Sequence, residues 1–75
     1  MEALEDIAKE LTKAEAKFPS FNSYHEGYAV ILEELDELWD EVKEKRQIRD
    51  NLYSEAAQVA AMALRFMLLV KEKGL

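Results

Sequence analysis

The sequence has no cysteine, and its 75 residues include only one proline, two glycines and one histidine. Without cysteine the chain can form neither disulfides nor a thiolate metal site, so neither of these can stabilise so small a protein. The scarcity of proline and glycine leaves little room for strands and turns. Together with the abundance of alanine, leucine, glutamate and lysine, it predicts an all-α fold.

Long apolar runs and basic charge are also in short supply. The one long apolar run, 59–70, is interrupted by Arg65 and is shorter than the roughly 20 residues that span a bilayer. Sixteen acids against ten bases give a net charge of −6, which disfavours binding to nucleic acid. Glu2, Glu5 and Asp6 stand where a signal peptide would be basic and then apolar. We therefore expect a cytoplasmic protein that binds neither membrane nor nucleic acid.

Length limits how well the chain can stabilise itself. A monomer of this size buries only about 60% of its extended-chain surface, which makes the core marginal. Since disulfides are excluded, oligomerisation is the remaining common source of stability. The sequence predicts one helical domain over 1–75 that assembles with copies of itself.

The first predicted helix runs from Glu2 to about Lys17. Pro19 ends it, because proline disfavours helical geometry at Phe18 and has no backbone N–H to donate. The residues of its apolar face recur at helical spacing: Leu4, Ile7, Ala8, Leu11, Ala14 and Phe18. On the other side Lys9, Lys13 and Lys17 stand one turn apart, as either a solvated basic stripe or a surface that attracts phosphate.

The second predicted helix begins at Tyr24, because Ser23 and Glu26 have the spacing of a capping box, and runs to about Lys45. Gly27 near its start indicates either a close approach by a neighbouring group or a tolerated surface position. The predicted buried face consists of Tyr28, Ile31, Leu32, Leu35, Leu38, Trp39 and Val42.

A third helix is predicted from an N-cap at Asp50 or Asn51 to about Lys73, with Gly74 as its C-terminal stop. Apolar residues cover most of its circumference, more than two helices of one chain can bury. We therefore predict a homodimer with the third helices at its centre. Its polar residues, with Met62 among them, fall on one stripe that faces either water or an internal site: Asn51, Glu55, Gln58 and Arg65.

Six of the nine residues in 33–41 are carboxylates. On a helix, Glu34, Glu37 and Glu41 fall within about 60° of one another and border an apolar face. Like charges so placed destabilise a helix, and a hard cation such as Mg²⁺, which prefers carboxylate oxygens, would remove the repulsion. The alternative is a solvated acidic face without a metal.

These acids are part of a recognisable pattern. Glu33-Glu34-x-x-Glu37, followed after seventeen intervening residues by Glu55-x-x-Gln58, resembles the Glu-Glu-x-x-Glu and Glu-x-x-Asp signature of MazG-type nucleoside triphosphate pyrophosphohydrolases. The resemblance extends over 25–66. It implies a helical bundle of two or four chains that uses Mg²⁺, or Mn²⁺ in its place, to hydrolyse a nucleoside triphosphate to the monophosphate and pyrophosphate.

Transferred to this sequence, the resemblance makes Glu34, Glu37 and Glu55 metal ligands and Glu33 a catalytic acid that orients water or a ligand. Glu37 then acts in catalysis as well as in metal binding. Gln58 departs from the pattern, because it stands where the family usually has aspartate and offers one neutral oxygen. Glu41, one turn beyond Glu37, is the residue that would supply the missing charge. A catalytically inactive MazG-like dimerisation or binding module is the alternative function.

Substrate contacts are assigned less specifically. Four basic residues are predicted to contact the phosphates: Lys43, Arg46, Arg49 and Arg65. For Arg65 a salt bridge is the alternative role. His25 and Tyr24, at the start of the second helix, are predicted to contact the base or ribose, or simply to be exposed or packed there.

Overall fold

The computed structural model describes residues 1–73, which form three α-helices and no strand. Helix α1 spans Glu2–Lys17, α2 spans Tyr24–Val42 and α3 spans Arg49–Lys73. The all-α prediction is confirmed. The predicted stop at Gly74 lies outside the described residues.

The connection between α1 and α2 follows the sequence signals. Phe18 has extended backbone angles (φ −128°, ψ 142°), as expected for the residue before a proline. The Ser23 hydroxyl accepts a hydrogen bond from the Glu26 backbone N–H at 3.0 Å, which caps α2. The Glu26 carboxylate accepts from the backbone and side chain of Asn22, both at 3.2 Å, and so ties the connection to the helix.

The connection between α2 and α3 is longer than predicted. Helix α2 ends at Val42 and not near Lys45. It ends there because the Gln47 side-chain amide donates a hydrogen bond to the Val42 carbonyl at 3.0 Å, and so satisfies a carbonyl that has no partner within the helix. The predicted N-cap at Asp50 or Asn51 is wrong. The first helical hydrogen bond of α3 runs from the Leu52 N–H to the Ile48 carbonyl, which places the Asp50 charge in the first turn, beside the positive end of the helix dipole.

Helix α3 lies between the other two helices. Within residues 1–73, α1 and α2 each pack on α3 and not on one another. The Tyr53 hydroxyl donates to Asp6 at one end and Arg65 reaches the Pro19 carbonyl at the other, so α1 runs parallel to α3. Tyr24 at the start of α2 packs on Phe66, and α2 therefore runs antiparallel to α3.

The polar stripe of α3 faces inward. Glu55 and Gln58 are half-buried and Arg65 is buried, within or beside the small core, while Asn51 alone is exposed. The sequence left open whether this stripe faces water or an internal site, and the first of these alternatives is therefore wrong. The core itself consists of Ala14, Phe21, Ala61, Met62 and Leu69.

The predicted buried face of α2 is largely wrong for the single chain. Only Ile31 and Leu38 are partly buried, since α3 covers one side of the helix and Gly27 and Glu34 lie on that side. The other members of the predicted face form an exposed apolar row, which we call the α2 stripe: Tyr28, Leu32, Leu35, Trp39 and Val42.

Among residues 1–73, one helix, within Arg49–Glu72, is long and apolar enough to cross a bilayer. The central helix of a soluble bundle meets the same criterion. Glu55, Gln58 and Arg65 on its inward side are characteristic of the central helix of a soluble bundle, because polar and ionisable groups are costly in hydrocarbon. The helix is therefore weak grounds for a membrane protein, and the cytoplasmic location stays a prediction.

Candidate metal centre and adjoining groove

Three carboxylates from two helices meet at the centre of the α2–α3 contact. Glu34 and Glu37 project from successive turns of α2, and Glu55 projects from the second turn of α3. One carboxylate oxygen from each lies within 4.8 Å of the others. Two residues of the cluster are half-buried, whereas Glu37 is exposed and leaves the cluster open to solvent.

The cluster holds negative charge at an energetic cost. Burial, followed by the neighbouring Glu37, Glu55 and Glu33 carboxylates, raises the pKa of Glu34 to about 7. The pKa of Glu55 is raised as well, first by burial and then by Glu37 and Glu41. Near neutral pH the cluster by itself therefore favours keeping a proton, which a cation would displace.

Two oxygens in the cluster lack partners. The Glu34 Oε2 and Glu55 Oε2 atoms are buried and have no hydrogen-bond partner among the described residues. A buried polar atom left in this way costs about 1–3 kcal/mol, more if charged. A hard divalent cation coordinated by oxygen would satisfy both atoms, so the donor set fits Mg²⁺ or Mn²⁺.

The remaining predicted ligands lie around this cluster. Gln58, one turn beyond Glu55 on α3, is half-buried and lines a groove that also contacts Glu34. Glu41 lies outside the group of three, and its Oε1 accepts a hydrogen bond from the Asn51 side chain at 3.5 Å. Glu33 is exposed and lines the same groove.

This groove separates α1 from α2 and has a volume of about 590 Å³. Helix α3 forms its floor through Gln58, Ala61, Met62 and Arg65. Its walls come from α1, the α1–α2 connection and α2, and they include Lys13, Lys17, Phe21, Glu26, Val30, Glu33 and Glu34. The structure therefore joins the acidic cluster to an open groove of ligand size.

The predicted substrate residues are not all gathered there. His25 is exposed, Arg49 is exposed at the start of α3, and neither lines the groove. Tyr24 is half-buried and its ring packs on Phe66 with centroids 5.5 Å apart. Only Arg65 of the four lies in the groove.

Arg65 connects the floor of the groove to the α1–α2 connection. Its guanidinium donates to the Pro19 carbonyl at 2.7 Å and lies 4.4 Å from the centre of the Phe21 ring. No carboxylate among residues 1–73 forms an ion pair with it. The alternative role as a salt-bridge partner is therefore not what this structure shows, and Arg65 instead holds the connection in place.

Two groove residues were not assigned to the site from the sequence. Lys13 and Lys17 belong to the basic stripe of α1, for which a solvated face and a phosphate-attracting surface were both open. Their spacing of one turn was the available signal. It could not indicate which neighbouring helix they face, because that depends on how α1 lies on α3.

Comparison of the chain with known protein families, with curated proteins and with solved structures finds no match. The MazG-type signature is thus a likeness of motif alone, and function is inferred from the residues and their geometry.

Proposed function

We propose that this protein is a metal-dependent nucleoside triphosphate pyrophosphohydrolase that uses Mg²⁺ or Mn²⁺. The observation that carries the proposal is the meeting of Glu34, Glu37 and Glu55 within 4.8 Å, with two buried carboxylate oxygens that lack partners. These are the three acids that the MazG-type signature marks as ligands. A groove large enough for part of a nucleotide begins at the same cluster.

In this reaction water attacks the α-phosphorus, the bond from that phosphorus to the bridging oxygen breaks, and pyrophosphate leaves. Glu34, Glu37 and Glu55 would hold the cation, which would neutralise charge on the phosphates and lower the pKa of a bound water. Glu33, exposed on the groove wall beside Glu34, accepts the proton of the attacking water and orients it.

Gln58 supports a second candidate, an inactive MazG-like dimerisation or binding module. Its amide contributes one neutral oxygen at the position where the signature has a charged one. In the active protein the missing charge comes from Glu41, which lies one turn beyond Glu37 on α2 and would have to exchange its 3.5 Å hydrogen bond with Asn51 for the cluster. In the inactive alternative the chain folds and assembles in the same way but hydrolyses no nucleotide.

We also propose that two or four copies of the chain assemble. The α2 stripe is exposed in the single chain and its members are spaced by four, three, four and three residues, the spacing of a coiled-coil seam. Met67 and Val70 are exposed on the outer side of α3. A second copy that covered both surfaces would place α3 centrally in the assembly.

A pyrophosphate-release assay with Mg²⁺ and a panel of nucleoside triphosphates tests the proposal. We expect release by the wild type and a loss of more than about 100-fold in Glu37→Gln, since even outer-shell partners of a metal change activity by about 10–100-fold. Asp36→Asn, in the same acidic segment but outside the cluster, is the matched control and should stay active.

The same assay separates the two candidates. An inactive wild type that gains turnover or metal binding in Gln58→Asp would establish the inactive module, because that change restores the charge of the signature. Loss of activity in Glu37→Gln and Asp36→Asn to the same extent would show that the cluster has no special role.

A further inference from the structure

The groove has walls of opposite charge. Helix α1 contributes Lys13 and Lys17 to one wall, together with the single acid Glu10, and α2 contributes the acids Glu26, Glu33 and Glu34 to the other. The chain as a whole has a net charge of −6, so this basic wall is a local exception. A ligand that bridges both walls needs a part with a bound cation, which faces the acids of α2. It also needs a part with free negative charge, which faces the lysines of α1.

Arg65 adds a buried positive charge beside the basic wall. Only 8% of its surface is exposed, and it lies in the floor of the groove between the two walls. Its hydrogen bonds go to the Pro19 carbonyl at 2.7 Å and to the Met62 sulfur at 3.7 Å. Within residues 1–73 the buried positive charge has no anionic partner, which is an unfavourable state that a bound anion would relieve.

The two lysines are free to join it. Lys13 pairs with Glu10 at 3.5 Å, but its side chain is 71% exposed, and a surface pair of this kind contributes little. Lys17 forms no ion pair within the described part of the chain. Both side chains can therefore turn to an anion in the groove at small cost.

We infer that Lys13, Lys17 and Arg65 form a polyphosphate subsite that holds the β- and γ-phosphates of the nucleotide, the part that leaves as pyrophosphate. This inference rests on the proposed function. Glu34 brings the acidic cluster to the α2 wall, whereas the lysines lie on the α1 wall and Arg65 lies in the floor between them. A triphosphate therefore spans the groove with its α-phosphate near the acids. Arginine suits such a role because its planar group binds phosphate oxygens in pairs.

Kinetics of the double variant Lys13→Gln/Lys17→Gln test the subsite. We expect its KM for the triphosphate to rise about tenfold or more, since charge-assisted hydrogen bonds are among the stronger ones, with a much smaller change in kcat. Added salt should raise the KM of the wild type more than that of the variant. Lys9→Gln, on the same stripe but outside the groove, should behave as the wild type.

Calorimetric titration with inorganic tripolyphosphate in the presence of Mg²⁺ makes the test independent of turnover. Binding by the wild type and Lys9→Gln that is lost in the double variant would establish the subsite even if no nucleotide were hydrolysed. If the wild type released pyrophosphate but the double variant matched Lys9→Gln in KM and in tripolyphosphate affinity, the subsite would be refuted and the proposed function would stand. A wild type that bound no tripolyphosphate would also refute it.

Discussion

At the scale of single residues, Glu34 is the most informative position. It is the carboxylate whose pKa is raised to about 7, by burial first and by Glu37 next. One of its oxygens is buried without a partner. A solvated acidic face would have neither property, because water would satisfy the oxygen and screen the charge. Glu34 therefore connects the packing of two helices with the cation binding that we propose.

The raised pKa of Glu34 predicts how stability depends on pH. The pKa of Glu34 in the folded protein, about 7, lies above the ordinary 4.5. The stability that the protonated carboxyl contributes is therefore fully present below pH 4.5 and is lost as the pH rises through 7. In EDTA the melting temperature should therefore fall between pH 5 and pH 8, and it should fall less in Glu34→Gln. About 5–10 mM Mg²⁺ should raise the melting temperature more at pH 8 than at pH 6.

Asp36→Asn is the control for these melting curves, since it removes a charge from the same segment without touching the cluster. It should keep the pH dependence and the response to Mg²⁺ of the wild type. Equal responses in Asp36→Asn and Glu34→Gln, or an absence of any response to Mg²⁺ in the wild type, would contradict the metal centre.

At the scale of elements, the contact between α2 and α3 depends on Gly27. The sequence left open whether this glycine was a surface position or a point of close approach, and the structure shows the latter. A Cβ atom there would lie 2.7 Å from Cδ2 of Phe66 and 3.0 Å from Cδ2 of Phe21. The glycine thus admits two aromatic rings to the helix surface, one turn before Val30 and two before Glu34.

Gly27→Ala should destabilise the protein by about 1 kcal/mol, because overpacking typically costs about 1–3 kcal/mol while alanine regains about 1 kcal/mol of helix propensity. Denaturant unfolding measures the change. In a Phe66→Leu background the cost should shrink, which a double-mutant cycle quantifies. A more stable Gly27→Ala protein would mean that the rings move aside freely.

Local signals predicted the elements well. Pro19 ended α1 and Ser23 capped α2 as expected, because both act through their own backbone neighbours. The α2–α3 connection was placed less accurately, since the side chain that terminates α2 comes from Gln47, five residues away. No short-range pattern marks such a contact.

The candidate site was predictable only in part. The acids of one helix could be aligned by spacing, and the motif added Glu55 from the other. That Glu41 falls outside the cluster, and that Lys13 and Lys17 face the groove, depend on how the helices cross. From the sequence, Arg65 was equally suited to contact a phosphate or to form a salt bridge. Its contacts with Pro19 and Phe21, which involve no carboxylate, could not be read from the sequence.

At the scale of the whole molecule, the single chain leaves a large apolar surface in contact with water. Trp39 is 58% and Tyr28 is 64% exposed on the α2 stripe, and Met67 is 64% exposed on α3. No side chain among the described residues is both large and fully buried. A chain of this size with so thin a core gains most from burying that surface against another copy.

Self-association through the α2 stripe is the last prediction, and analytical ultracentrifugation measures it. We expect the wild type to sediment at micromolar concentration as a dimer or tetramer of the 8.7 kDa chain, and Leu35→Glu to shift toward monomer, because a buried interface does not accept an unpaired charge. Ala29→Glu places the same side chain on the same helix at an exposed position outside the stripe, and it should leave the assembly intact. A well-folded wild-type monomer would refute the assembly. Dissociation by both variants alike would place the interface elsewhere than on the α2 stripe.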